Sequence, residues 1–473
     1  MNLRAFRNKT VLIMGLGLHG GGVGTAEFFS RLGSRVIITD LKSRRELAPS
    51  LAKLKRWPAI TYHLLGHRPK DFQAADYVIR GPGVPETSKF LKIAQDAGVP
   101  VLSDVEIFFL TCPAPIIAVT GTKGKSTATW LLGEFLKRGL RKRIWVGGNI
   151  RTSMLAFLPR VRTGDLIVLE LSSFQLDSLQ RQRCSPHMAL ITNVFPDHLN
   201  RYPSMRAYAA SKAAIFRFQK PSDVLFIPGG DHGLNRITKS APGRIIRVRP
   251  FATLRRLGKA LRVPPPSYHL ANIALAVAAA RHLGVGERAI RRVLERFRGM
   301  PGRMEFVRRV GGVVFINDTT ATNPLAARAA VIATKRRIGA SRLHVIAGGY
   351  DKGLPVREFT NALVRHAASV VWLPGTATKK MKLEIRSPTR LPDGQESETH
   401  SKPKTQKRFD APSMSEAVRL AYANAKPGDT VLLSPGAASF GLFRHEFDRG
   451  EQFGKAVKAL KGRGASWRRE AVR

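Results

Sequence analysis

Cysteine is almost absent from this sequence: Cys112 and Cys184 are the only two among 473 residues. They lie far apart and form no C-x-x-C. That excludes a disulfide framework and a cysteine-built zinc site, and it suits a reducing compartment, so a cytoplasmic location is expected. Long hydrophobic runs are lacking too. No apolar stretch approaches the roughly 20 residues of a membrane-spanning helix, and the first ten residues lead into a strand rather than a signal-peptide core. Acidic residues are scarce: 33 Asp and Glu stand against 79 Lys and Arg, a net charge of +46. The basic residues are spread along the chain, and no nucleic-acid-binding motif accompanies them, so no specific nucleic-acid partner is expected. The excess can steer anionic substrates, or it can reflect the composition of the source proteome. What remains is ordinary for a folded enzyme: 43% hydrophobic residues, enough to bury real cores, and a length that fits about three domains.

No internal repeat of solenoid length is present. Three α/β blocks are. The first opens with a strand at 10–14 and the turn Gly15-Leu16-Gly17-Leu18-His19-Gly20. A helix through about Leu32 follows, then a strand at 35–39 ending in Asp40, and another at 76–80 running into Gly81-Pro82-Gly83. The second block has strands at 116–120, 165–171 and 188–192; the third has them at 313–316, 343–347, 370–373 and 430–433. Alternation of strands with helices predicts largely parallel sheets covered by helices on both faces, an α/β protein. Residues 379–412, rich in Lys, Ser, Pro and Thr, read as an insertion with an exposed centre, and 462–473 as a frayed tail.

The most informative segment is Gly121-Thr122-Lys123-Gly124-Lys125-Ser126-Thr127. An apolar, β-branched strand precedes it and helical spacing follows. Backbone N–H groups of such a loop, together with a helix N-terminus, cradle a phosphate chain; Lys125 adds charge, and Ser126 or Thr127 offers an oxygen to Mg²⁺. Glu170 closes a buried strand, where an acid can hold Mg²⁺. Asp197 and His198 follow the next strand end. The Gly15, Gly17, Gly20 turn with Asp40 behind it suits a backbone approach to a nucleotide phosphate, which UDP satisfies as well as NAD. Asp318, Thr319 and Thr322, the loop carrying Lys352, and the loop carrying Ser439 all follow strands of the third block. One such loop alone would be an ordinary helix cap; three suggest a substrate face.

Together these motifs resemble the Mur ligases, the ATP-dependent amide-forming ligases of peptidoglycan synthesis. The resemblance runs from Gly15 to Phe443, and is most specific at residues 121–127, Gly147-Gly148-Asn149, 170–176, 197–202 and 433–439. It implies three domains: a Rossmann-like UDP-binding domain (1–113), a central P-loop ATPase-like domain with a mostly parallel sheet (114–299), and a Rossmann-like domain that brings the amino acid (300–473). It further implies ligation of glutamate to UDP-N-acetylmuramoyl-L-alanine through an acyl phosphate, with ATP and two Mg²⁺ ions, by a monomer. ATP would be held by Gly121, Thr122, Lys123, Gly124, Lys125, Ser126, Thr127, Asn272, Arg303 and Asp318. Gly15, Gly17, His19, Gly20, Asp40, Gly81 and Gly83 would receive UDP. Lys125, Glu170, His198, Lys212 and Asn149 would serve catalysis, with Ser126, Thr127, Glu170, His198 and a CO₂-carbamylated Lys212 toward metal. Thr322, Lys352 and Ser439 would bind the incoming amino acid.

The chain departs from the family pattern at Gly302, where a histidine is usual, and at Thr320, where a lysine is usual. The adenine segment reads Tyr268-His269-Leu270-Ala271-Asn272, and the last loop His445-Glu446-Phe447-Asp448. D-glutamate is the expected amino acid on the strength of the resemblance, with L-glutamate or another amino acid as the alternative. An NAD-dependent oxidoreductase would leave the phosphate loop, Glu170 and His198 unexplained. A basic ATPase on nucleic acid would leave the third domain unexplained.

Overall fold

Strand β1 (Thr10–Met14) is buried along almost its whole length, and it sits centrally in the first of three sheets of the computed structural model. The structure describes residues 2–18, 20–149, 153–197, 201–255, 257, 267–297, 299–386 and 406–461. The first sheet comprises β1, β2 (Arg35–Asp40), β3 (Thr61–Leu64), β4 (Tyr77–Arg80) and β5 (Val101–Ser103) in the order β3-β2-β1-β4-β5. Every pairing is parallel. Parallel neighbours need long crossovers, and helices such as Gly21–Arg31 supply them.

The second sheet holds β6 (Ile116–Thr120), β7 (Ile144–Gly148), β8 (Leu166–Glu170), β9 (Met188–Ile191), β10 (Val224–Pro228) and β11 (Arg244–Val248), in the order β11-β10-β9-β6-β8-β7 and again all parallel. Strands β6, β8, β9 and β10 are buried at every position. That is why they read as unbroken apolar runs instead of alternating ones. One continuous core joins the two sheets. It runs from Phe6 and Phe29 through Val105 and Phe108 to Phe157 and Ile167. Phe157 stacks on Trp145 at 5.3 Å and meets Phe108 edge-on at 5.6 Å.

The third sheet contains β12 (Glu305–Val310), β13 (Val313–Asn317), β14 (Leu343–Gly348), β15 (Ser369–Leu373), β16 (Lys407–Asp410) and β17 (Thr430–Leu433), in the order β12-β13-β17-β14-β15-β16. Only β12 runs antiparallel to its neighbour. The chain divides into two compact units, Met1–Arg296 with the first two sheets and Phe297–Arg473 with the third. Among the described residues no helix is long and apolar enough to cross a membrane.

Strands β3, β5, β7, β10, β11, β12 and β16 add to those the sequence indicated. Several are short, or lie at sheet edges with polar residues exposed. The supposed insertion at 379–412 needs correction at both ends. It begins inside the helix Thr376–Arg386 and includes β16, whose sequence Lys-Arg-Phe-Asp pairs with β15. Charged edge strands resist aberrant pairing, so this one has the composition of a loop. The centre of that segment, 387–405, and the tail 462–473 lie outside the described residues.

Candidate active site

In open parallel sheets, ligands bind outside the carboxyl ends of the strands. In the second sheet, four neighbouring strand ends bring chemical groups together. The loop after β6 is residues 121–127. Gly121 (φ +145°) and Gly124 (φ +87°) take backbone conformations that favour glycine. A Cβ at Gly121 would lie 1.9 Å from Thr192 Oγ1, and one at Gly124 2.0 Å from Asn272 Nδ2. The loop is thus pressed between the end of β9 and the helix Ser267–His282, and the predicted ATP residue Asn272 is buried against Gly124. Asn193, just past β9, receives the Thr122 N–H on its carbonyl (2.9 Å) and the Lys123 N–H on Oδ1 (2.9 Å). Its Nδ2 donates to Lys123 O (2.8 Å), as Thr192 Oγ1 does at 2.6 Å. Sequence reading passed over Thr192 and Asn193 as holders of the loop. Their place directly after an apolar strand was the available signal.

Lys125 opens the helix Lys125–Gly139 and folds back, donating from Nζ to Gly121 O (2.9 Å) and Thr122 O (3.2 Å). Ser126 and Thr127 are buried in the first turn, and Thr127 Oγ1 has no hydrogen-bond partner among the described residues. Glu170, at the end of β8, is 2% exposed. Its Oε1 accepts from Asn149 Nδ2 (3.2 Å), while Oε2 is buried and finds no partner among the described residues. Asn149 is held in turn, since its N–H donates to Glu170 O (2.9 Å). A buried carboxylate oxygen left unmatched is costly. Together with the Thr127 hydroxyl it is a hard-oxygen donor set that fits Mg²⁺, a cation commonly bound through one or two carboxylates plus substrate phosphates. Among the described residues no group of three His, Cys, Asp or Glu side chains forms a metal cage. His198 lies outside the described residues.

Lys212, on the helix Met205–Arg217, is 1% exposed. Its Nζ donates to Gly121 O (3.0 Å) and lies 4.6 Å from the Tyr208 ring centre. Burial, and then the Lys125 charge, hold its pKa well below the ordinary lysine value, although Asp197 and Asp177 oppose the shift. Asp197 also faces Lys123 at 3.5 Å. Burial raises the Tyr208 phenol, which lies 3.3 Å from Thr122 Oγ1.

In the first sheet, Gly15, Gly17 and Gly20 follow β1, with φ of +95°, +59° and +88°, and Gly20 caps the helix Gly21–Arg31. Asp40 follows in β2. Its Oδ2 accepts from the Leu16 (2.9 Å) and Gly17 (3.2 Å) amides and its Oδ1 from Lys42 (2.9 Å). The carboxylate therefore shapes the glycine turn. Gly81, after β4, packs against β1 by donating to Met14 O (2.9 Å); a Cβ there would come within 3.0 Å of that oxygen. Gly83 lies in the same turn, and His19 is outside the described residues.

In the second unit, three strand-end loops are knitted together. Tyr350 and Ala438 exchange backbone hydrogen bonds (3.0 Å each), Gly436 donates to Ala321 O (2.9 Å), and Asp318 donates to Leu433 O (2.8 Å). Lys352 Nζ reaches Thr322 Oγ1 at 3.2 Å, and Ser439 is buried in the adjoining loop. Asp318 accepts from Met304 N–H (3.1 Å) and Ser434 Oγ (3.3 Å), which draws in the turn carrying Arg303. Gly302 has φ +68°, and a Cβ there would sit 2.7 Å from Thr319 Cγ2. The departure from histidine thus matches a tight local fold. Arg449, wholly buried and lowered by that burial to a pKa of about 10, braces Thr319 and Ala437 O. It was not singled out from the sequence.

Three family models match the chain: the Mur ligase MurD-like N-terminal domain over residues 9–103, the Mur ligase middle domain over 119–256, and the Mur ligase glutamate ligase domain over 302–436. A UDP-N-acetylmuramoylalanine--D-glutamate ligase of Roseiflexus sp. is 38% identical over 96% of this chain and 99% of its own. One of Desulfosudis oleivorans is 35% identical over 96% and 97%. Among solved structures, the UDP-N-acetylmuramate-alanine ligase MurC of Thermotoga maritima aligns over 95% of this chain and 99% of its own, with a TM-score of 0.61 at 18% identity. The MurF ligase of Thermotoga maritima aligns over 97% of both chains, with a TM-score of 0.55 at 15% identity. These two structures agree with the fold.

Proposed function

Because the chain belongs to the Mur ligase family, we propose that it is an ATP-dependent ligase that adds D-glutamate to UDP-N-acetylmuramoyl-L-alanine, forming ADP and phosphate, in peptidoglycan precursor synthesis. The identity to D-glutamate ligases over nearly the full length carries this reading. The strand-end constellation of the second sheet supports it chemically.

A carboxylate is a poor acceptor for an amine. Phosphorylation of the substrate carboxylate gives an acyl phosphate, the glutamate amine adds to its carbonyl, and the tetrahedral intermediate expels phosphate to leave the amide. Phosphoryl transfer is largely positioning and charge management. In this proposal the amides of residues 121–127 and Lys125 hold the phosphates. Asn272, Arg303 and Asp318 are further ATP contacts. Glu170 with Ser126 or Thr127 would hold one Mg²⁺, and His198 with Lys212 a second; ions held there would supply positive charge toward the phosphates. Asn149 fixes the Glu170 carboxylate and orients the substrate. Gly15, Gly17, Gly20, Gly81 and Gly83 receive UDP on a turn that Asp40 shapes. Thr322, Lys352 and Ser439 take the two carboxylates of glutamate. The three domains are assigned to 1–113, 114–299 and 300–473.

Lys212 is proposed to act as a carbamate. Addition of CO₂ needs the neutral amine, and burial favours that form. The neutral nitrogen bonds the CO₂ carbon and releases one proton to water, so that an anion with two oxygens stands where the amine did.

Phosphate release tests the reading, with ATP, Mg²⁺, UDP-N-acetylmuramoyl-L-alanine and a panel of D- and L-amino acids. Release confined to D-glutamate is expected, and Lys125→Ala should abolish it with the fold intact. Release driven by a different amino acid would overturn the substrate assignment.

A further inference from the structure

Arg80 ends β4 immediately before the Gly81–Gly83 turn and is 1% exposed. Its Nη1 donates to Val84 O (2.8 Å), closing the turn from behind. Its Nη2 donates to Ser178 Oγ (2.8 Å), buried on the helix Ser173–Arg181, and to Glu86 (3.0 Å). That helix follows Glu170 within three residues and belongs to the second sheet's layer. Glu86 also binds Arg181 (3.0 Å), which reaches the wholly buried Glu106 at 3.2 Å. Cations and carboxylates therefore alternate across the boundary between the first two sheets. Burial is the main influence on Arg80 and opposes its charge. Its Nε is buried without a partner among the described residues, a further cost. An apolar side chain would fill this space more cheaply. What a guanidinium adds is a rigid fork of donors with fixed directions.

We propose that Arg80 is a positioning residue for the nucleotide end of the substrate: it fixes the Gly81–Val84 turn and ties it to the helix that follows Glu170, so that both ends of the bound substrate share one rigid frame. The proposal rests on the reading of Gly81 and Gly83 as part of the UDP site. No contact between Arg80 and substrate is implied.

The test uses the full chain with Arg80→Met, Arg80→Lys and Ser178→Ala. In Arg80→Met, KM for UDP-N-acetylmuramoyl-L-alanine should rise at least about tenfold, as expected from loss of charge-assisted hydrogen bonds. KM for ATP should stay within about twofold, since its loop is held by Asn193. Arg80→Lys should recover part of the loss, and Ser178→Ala should raise the same KM by a smaller factor. Hydrogen exchange at the Val84 amide, which bonds Gly81 O (3.0 Å), should quicken in all three variants, most in Arg80→Met. A purely structural role would lower the melting temperature and leave the KM ratio unmoved, which overturns the proposal. If Arg80→Met does not fold, unchanged KM and exchange in both milder variants overturn it as well. A wild-type chain without turnover on this substrate would defeat the function reading instead. The exchange measurement would still decide the clamp.

Discussion

Neutralising Glu170 should make the protein more stable and less active at once. Glu170 is 2% exposed, and among the described residues only one of its carboxylate oxygens is matched, by Asn149 at 3.2 Å. A buried polar group left unsatisfied costs about 1–3 kcal/mol, and more when charged. Glu170→Gln keeps the shape and can still present an oxygen to Asn149. It exchanges a charged orphan for a neutral one, so a gain of about 1 kcal/mol in metal-free buffer is expected. In a body the size of Met1–Arg296 that raises the melting midpoint by roughly 1.5 °C. With Mg²⁺ and ADP the order should reverse. Ligand at 100 times its Kd adds about 2.7 kcal/mol to a protein that binds it, and the variant should lose most of that increment. Removing charge stabilisation aimed at the transferring phosphoryl group should lower kcat by about 100-fold or more. Scanning calorimetry in EDTA with ADP, then in Mg²⁺ with ADP, reads the first two effects, and phosphate release reads the third. A variant that melts below wild type in EDTA and keeps the full Mg²⁺ increment would refute the reasoning.

Lys212→Ala should be nearly inactive and partly rescued by short carboxylic acids that replace the carbamate oxygens; full activity without rescue in CO₂-depleted buffer would exclude the carbamate. Lys352→Ala should raise KM for glutamate by about 30-fold or more, since truncating one partner of a desolvated charge pair costs roughly 2–5 kcal/mol. KM for ATP should barely move, and a glutamate KM within about threefold of wild type would return Lys352 to the surface. His344 gives a pH prediction. It is buried between Ser369 Oγ (2.8 Å) and Asp429 (3.2 Å). Burial lowers its pKa below the ordinary 6.5 despite the opposing pull of Asp429. The unfolded chain then binds more protons, so stability is lost as pH falls from about 6.5 toward the depressed native value. Denaturant titrations of His344→Gln should show a shallower loss over that window, and an identical slope would contradict this.

The phosphate loop was legible because its constraints are local. Glycines at 121 and 124, a lysine and two hydroxyls must follow one another for a loop to wrap phosphate, and the buried strand before them must be apolar on both faces. Glu170 and the three loops of the second unit were legible as strand-end groups, but their roles, and Asn149 and Lys212 altogether, came through family resemblance, since their meaning depends on neighbours distant in sequence. Asn193 and Arg449 escaped notice for the same reason. Their partners are Thr122 and Lys123 in one case and Thr319 and Ala437 in the other, distant in sequence and adjacent only once the sheets form. Strand β16 escaped because an edge strand carries the charges of a loop.

The sequence by itself determined the α/β class, the phosphate loop and the family, because these rest on periodicity, local backbone conformation and motif spacing. Only the tertiary structure decided what each polar group spends its hydrogen bonds on. It turned Asp40 onto the Leu16 and Gly17 amides, buried Arg80 between two layers, and left one Glu170 oxygen and the Thr127 hydroxyl without protein partners among the described residues. Hydrogen-bond satisfaction is a property of the packed neighbourhood, and strand order, not chain order, sets that neighbourhood.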